Sequence, residues 1–314
     1  MTDRDRRALV IGESLVDVVH HRSGAVTEHA GGSPANVAVG LARLGHPTSL
    51  LTDIGDDSHG DLVSLHLHSE HVDLMFPQRP GTPTSTATAT IGADGSPCYS
   101  FDLRWQPALP LESPDACVVH TGSLGAVLPP GASVVLDVLE RLSSTATISY
   151  DLNIRPAAMG AHSTLWERVE RVVALADVVK ASDEDIAHLM PDVSIPDAAR
   201  RLLDHGPTAV IVTRGGAGAA CFTRSAHVAV PAARVAVADT IGAGDSFCAA
   251  VIDRLWTFGV LGADGREALG SMDANRWTDV LTHAAAAAAI AVSRPGANPP
   301  TRAELEAHTD LELV

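Results

Sequence analysis

The chain has 314 residues, 46% of them hydrophobic, enough to bury a large core at the upper end of the size of one domain. A formal charge of −16 and a pI near 5.2 exclude a general nucleic-acid surface, and 4% aromatic content leaves no platform for stacking bases. Lys180 is the only lysine among 22 Lys and Arg residues, and neither a G-x-x-x-x-G-K-[ST] phosphate loop nor a V-A-I-K protein-kinase segment occurs.

Met1 to Arg7 is charged and precedes only a short apolar run, so no signal peptide is expected, and the most apolar later stretch, Ala284 to Val292, is too short to span a bilayer. The four cysteines, Cys98, Cys117, Cys221 and Cys248, are scattered and form no C-x-x-C pair. These features predict a cytoplasmic protein with no membrane and no nucleic-acid partner.

Ala8 to Gly12 reads as a buried first strand of an α/β sheet. Glu13 to Val19 follows with partial alternation and places Asp17 beyond that strand's carboxyl end, where ligands gather in open α/β sheets. Gly31-Gly32-Ser33-Pro34 is a turn, and Pro34 suits the first turn of a helix running to about Leu44. Val37, Leu41 and Leu44 form the buried face of this helix; Asn36 falls off it and offers an amide that can donate to and accept from a polyol. Ser49 to Asp53 reads as a strand and Asp57 to Glu70 as a helix. His66, His68, His71 and Glu70 lie there without a second ligand cluster, which favours a solvated face over a metal site.

Between Thr84 and Arg104 the pattern changes: an alternating run, a turn at Gly92 to Gly95 and a second extended run predict an antiparallel hairpin inside a βα protein. Strands at Val118 to Gly122, Thr147 to Asp151, Val178 to Lys180 and Ala209 to Thr213 then alternate with helices near Ala132 to Leu142, Thr164 to Leu175, Asp183 onward and Ala198 to Leu203. This order implies a mostly parallel sheet flanked by helices. At strand ends stand Asp151-Leu152-Asn153-Ile154-Arg155-Pro156, whose arginine offers a fork of donors, and Lys180-Ala181-Ser182-Asp183-Glu184-Asp185, an acidic helix start. Thr213 to Gly218 is a glycine-rich link between extended runs, and Ala284 to Ser293 an alanine-rich helix.

In Asp239-Thr240-Ile241-Gly242-Ala243-Gly244-Asp245 the glycines let the backbone turn tightly, and apolar residues at helical spacing follow from Phe247. Gly242 to Asp245 is therefore a helix N-terminus, suited to an anion, with a carboxylate beside it. A kinase acting on an alcohol needs that combination: donors for the transferring phosphoryl and a base for the hydroxyl proton. A helix cap after a glycine turn is the plain structural reading.

Two segments carry a family resemblance. Asp239 to Phe247 resembles the second signature of the ribokinase-like (PfkB) carbohydrate kinases, and Gly31-Gly32-Ser33-Pro34-Ala35-Asn36-Val37-Ala38 with Leu41 and Gly45 resembles the first. They occur in the family's order, and Gly12-Glu13 and the D-x-N-x-R run of Asp151 to Arg155 lean toward its fructokinases. The resemblance implies one ribokinase-like α/β domain over 1–314, with lid segments near 13–31 and 82–104 that also provide a dimer contact.

It further implies an ATP- and Mg2+-dependent sugar kinase, with Asp245 as base and the Gly242, Ala243 and Gly244 amides on the phosphoryl group. Asp17, Gly32, Asn36 and Arg155 would bind the sugar; Lys180, Asp185 (or the adjacent Glu184), Thr213, Gly215, Gly218 and Ala285 would lie on the nucleotide side. Ala285 stands where the family often carries asparagine. A potassium site is implied at Asp239 and at Gly296, within Arg294 to Ala297. Fructose is the leading acceptor; ribose, 2-keto-3-deoxygluconate and nucleosides stay open, as does a sensor that keeps the fold without the chemistry.

Overall fold

The computed structural model describes residues 6–21, 23–91, 97–112, 114–159 and 162–308. The turn expected at Gly92 to Gly95 and the first five residues lie outside them. In chain order the elements begin β1 (Ala8–Ile11), β2 (Leu15–His20), β3 (Val26–Gly31), α1 (Ser33–Arg43), β4 (Thr48–Leu51), α2 (Ser58–Ser69) and β5 (Val72–Leu74). They continue with β6 (Thr86–Ile91), β7 (Pro97–Asp102), β8 (Val118–Gly122), α3 (Ser123–Val127), α4 (Ala132–Leu142), β9 (Thr147–Asp151), α5 (Pro156–Met159) and α6 (His162–Val173). The remainder is β10 (Val178–Ser182), α7 (Asp183–Leu189), α8 (Ile195–Asp204), β11 (Ala209–Thr213), β12 (Ala219–Thr223), β13 (His227–Val230), α9 (Ala243–Thr257), α10 (Arg266–Gly270), α11 (Ala274–Val292) and α12 (Arg302–Ala307).

Among the described residues the strands form two sheets. The larger has nine strands in the order β13-β12-β11-β10-β9-β8-β1-β4-β5. It is parallel from β5 to β11, and β12 and β13 close that end in antiparallel fashion. Its inner strands are apolar on both faces because helices cover both. In β1 the alternation is visible: Ala8 and Val10 pack with α1, α2, α9 and α11, whereas Leu9 and Ile11 pack with α4, α6, α7 and α8.

The smaller sheet, β3-β2-β6-β7, pairs β2 antiparallel with β3 and parallel with β6, and β6 antiparallel with β7. It is built from the two segments expected to form a lid. The predicted helices are present, though α11 begins at Ala274 rather than at the expected Ala284, and α2 is capped by Asp57, whose side chain accepts from Gly60 N at 2.8 Å. The sequence reading missed α3 and α5, of five and four residues, because they are too short to show a helical period. It also missed the three- and four-residue strands β5 and β13. No helix among the described residues is long and apolar enough to cross a membrane.

The histidines of α2 gather no metal site. Glu70 is held by Arg43 through Nε at 2.7 Å and Nη2 at 2.6 Å, which ties the end of α2 to α1. Among the described residues no group of three His, Cys, Asp or Glu side chains could hold a metal ion alone. Cys117, Cys221 and Cys248 are buried free thiols.

Candidate active site

The two signature segments, remote in sequence, meet at the carboxyl end of the large sheet. Gly242, at φ +73°, ends the preceding loop and opens α9, and a Cβ there would lie 2.8 Å from the Cα of Ala297. Only glycine allows the loop to rest on the 294–297 segment in this way. Asp239 fastens the same contact: its Oδ2 accepts from Gly296 N at 2.9 Å and its Oδ1 from Ile241 N at 3.1 Å. The two places expected to share a potassium ion are thus joined by a direct bond.

Gly242, Ala243 and Gly244 stay partly exposed at the start of α9, whereas Asp245, next in line, is buried. Its Oδ1 accepts from the Ser33 hydroxyl at 2.6 Å and its Oδ2 from Asn36 Nδ2 at 2.8 Å. Burial raises the Asp245 pKa above the ordinary carboxylate value; Ser33, Asn36, Lys180 and Arg155 pull against that rise. A buried carboxylate at a helix N-terminus, kept ionisable by surrounding donors, has the makings of a general base.

Lys180 lies beneath the same turn. A Cβ on Gly244 would sit 3.1 Å from its Nζ, so the missing side chain brings the ammonium close to the helix start. Parallel pairing of β9 and β10 sets Lys180 beside Asp151, and Nζ donates to Asp151 Oδ2 at 2.9 Å. Cys248 Sγ donates to that same oxygen at 3.4 Å. Burial opposes a charge on Lys180, but the carboxylate of Asp151 holds its pKa above the ordinary lysine value. A fixed cation therefore reinforces the positive end of α9.

Asp17, on β2 of the small sheet, leans over Gly31: a Cβ on that glycine would fall 2.2 Å from Asp17 Oδ2. Burial pushes the Asp17 carboxyl up to about 6; His29, directly opposite on β3, opposes this and the charge of Asp245 adds to it. Gly32 adopts φ +104° and leaves room for the backbone of Glu13, whose carbonyl oxygen would be 2.5 Å from an added Cβ.

Glu13 is a site neighbour that the sequence reading did not single out by role. It is buried, and Oε2 accepts from Gly125 N at 2.6 Å. Burial pushes its carboxyl up to about 7, against bonds from its own amide, Gly125 and Ser123, and the charge of Asp245 adds to the rise. The signal lay in a charged residue directly after a buried strand.

Arg155 is exposed; Nη1 donates to the carbonyl of Ile154 at 3.1 Å, and the guanidinium is near enough to favour the charged form of Asp245. Asp185 is buried as the third residue of a capping box, with Oδ2 accepting from Ser182 N at 2.7 Å and Oδ1 from Ile154 N at 2.7 Å. One of its oxygens thus caps α7 and the other ties that helix to the 153–155 run, while Glu184 beside it is exposed. On the expected nucleotide side, Thr213 Oγ1 donates to Ala181 O at 3.4 Å. Gly215 and Gly218 take positive φ in the β11–β12 link, and Ala285 is buried in α11.

A buried carboxylate, glycine amides at a helix start and a lysine beneath them, all at the carboxyl end of a helix-covered parallel sheet, define a phosphotransferase acting on an alcohol. The chain belongs to the pfkB family of carbohydrate kinases, whose model matches residues 5–304. It is similar to the fructokinase of Rhizobium leguminosarum bv. trifolii, 31% identical over 258 residues and covering 79% of each chain. Its fold is similar to that of the Xylella fastidiosa fructokinase with bound ATP, with a TM-score of 0.85, 27% identity and coverage of 96% of this chain and 97% of that one. A double mutant of fructokinase from Vibrio cholerae O395, in its fructose-, ADP- and potassium-bound form, gives a TM-score of 0.77 at 25% identity over 96% and 97% of the two chains.

Proposed function

We propose that this carbohydrate kinase transfers the γ-phosphoryl group of ATP to a primary hydroxyl of fructose. The observation that carries the reading is Asp245, buried at the N-terminus of α9 and bonded by two donors of the other signature segment. The fructokinase relatives support fructose over other acceptors.

Asp17, Gly32, Asn36 and Arg155 orient the sugar beneath the small sheet. Asp245 removes the proton of the reacting hydroxyl as its oxygen bonds to phosphorus, and the bond to the departing diphosphate breaks. The amides of Gly242, Ala243 and Gly244, with Lys180 behind them, stabilise charge on the transferring group. Thr213, Gly215, Gly218 and Ala285 line the nucleotide side. Magnesium, when bound with the nucleotide, neutralises phosphate charge; it needs few protein ligands, consistent with the donors here, of which Glu184 is exposed and Asp185 is engaged.

The loop that Asp239 joins to Gly296 would hold potassium, which would order the start of α9. Closure of the small sheet excludes water, which would otherwise compete as acceptor. Its edge strand β3, with Val26 exposed, supports a homodimer contact. The enzyme works in the cytoplasm, as one ribokinase-like domain.

An ATP-consumption assay across fructose, ribose, 2-keto-3-deoxygluconate and adenosine, with potassium or tetramethylammonium, tests this. Fructose should give the highest kcat/KM, and potassium should raise it. Another acceptor exceeding fructose by about tenfold would replace fructose, a margin that pocket contacts readily produce. No consumption with any of them would overturn the kinase reading.

A further inference from the structure

We infer that Ser33 is a positioning residue for phosphoryl transfer, its hydroxyl fixing the plane of the Asp245 carboxylate; this rests on Asp245 being the base. The N-cap of α1 is Gly32, which makes no side-chain cap bond, and Ser33 is the first helical residue. Its hydroxyl is turned away from its own helix and donates to Asp245 Oδ1 at 2.6 Å, across 212 residues of sequence. Asn36, three residues on and on the same helix face, donates to Oδ2 at 2.8 Å.

The terminal torsion of an aspartate is broad, so one bond leaves its carboxylate free to swing, whereas one donor on each oxygen defines its plane. Each oxygen still keeps a lone pair for the incoming hydroxyl. The arrangement has a consequence when sugar enters. An Asn36 amide that turns to a sugar hydroxyl releases Oδ2, and Ser33 then holds the base by itself from α1. Both residues are partly exposed, whereas Asp245 is buried.

Ser33→Ala removes the hydroxyl and little else. The variant should lose about ten- to a hundredfold in kcat, the scale of a reacting group let slip from its geometry, with the KM values for sugar and ATP within about twofold. Because a donor to the charged form lowers a carboxylate pKa, the acid limb of its pH profile should move to higher pH, and Ser33→Thr should restore both kcat and the limb. Thermal unfolding and ATP binding, measured in parallel, should match the parent protein. Unchanged kcat with an unmoved acid limb would overturn the inference, as would a raised sugar KM at constant kcat, which marks a substrate contact. Should Asp245→Asn be inactive while Ser33→Ala behaves as the parent, this inference alone falls; should Asp245→Asn be active, the assignment of the base falls with it.

Discussion

Lys180, midway along β10, and Asp151, the last residue of β9, stand side by side, ammonium to carboxylate at 2.9 Å and both buried, directly beneath the turn that opens α9. The pair sets the chain's single lysine beside the start of α9 and holds it charged. Lys180→Met should lower turnover by at least about a hundredfold, the scale of losing one preorganised charge donor. Asp151→Asn leaves the ammonium buried without its counter-charge and should cost about 3–5 kcal/mol of stability. Denaturant titration of both variants alongside steady-state kinetics checks this; a fully active Lys180→Met would remove the lysine from the mechanism.

With Asp17 binding the sugar as proposed, sugar binding responds to pH. Burial raises its carboxyl to about 6, so the carboxylate, a full acceptor for sugar hydroxyls, is present above that pH and protonates as pH falls through it. The KM for the sugar should therefore rise several-fold from about pH 7 to pH 5, while Asp17→Asn should have a high KM with no such inflection near 6. An inflection that survives in the variant would assign the titration to another group.

The body of α9 is fixed by a cluster remote from the chemistry. Asp253 is buried and accepts from His46 at 2.7 Å on Oδ1 and from His283 at 2.7 Å on Oδ2, with Arg302 also on Oδ1. Burial alone would raise its pKa, but the His283, His46 and Arg302 bonds hold it well below the ordinary value. A depressed acid stabilises the fold above its unfolded pKa of about 3.9 and loses that contribution as pH falls below it. Asp253→Asn should cost about 3 kcal/mol near neutral pH, with less difference from the parent in acid. Equal unfolding midpoints at neutral pH would contradict this.

How far the sequence revealed the site follows from which contacts are local. The Gly242 to Asp245 turn was legible because glycine spacing and the apolar face from Phe247 lie within a few turns, and β1 was legible as a short continuous apolar run for the same reason. Asn36 was singled out as a sugar contact, yet the structure also bonds it to Asp245, a pairing set by topology across 209 residues. The partners of Lys180 and the burial of Glu13 depend on strand register and on α3, whose five residues show no period. Asp185 was legible as part of an acidic helix start and as a nucleotide-side candidate, but not as a residue whose two oxygens are taken by the capping box and the 153–155 run.

Asp245→Asn decides whether Asp245 takes the acceptor proton, since the amide keeps the size of the side chain while removing its basicity. Steady-state kinetics with fructose and ATP, together with nucleotide titration, should show turnover lower by about two to four orders of magnitude, the range for a general base, with ATP affinity unchanged. Turnover within about tenfold of the parent enzyme would contradict the assignment.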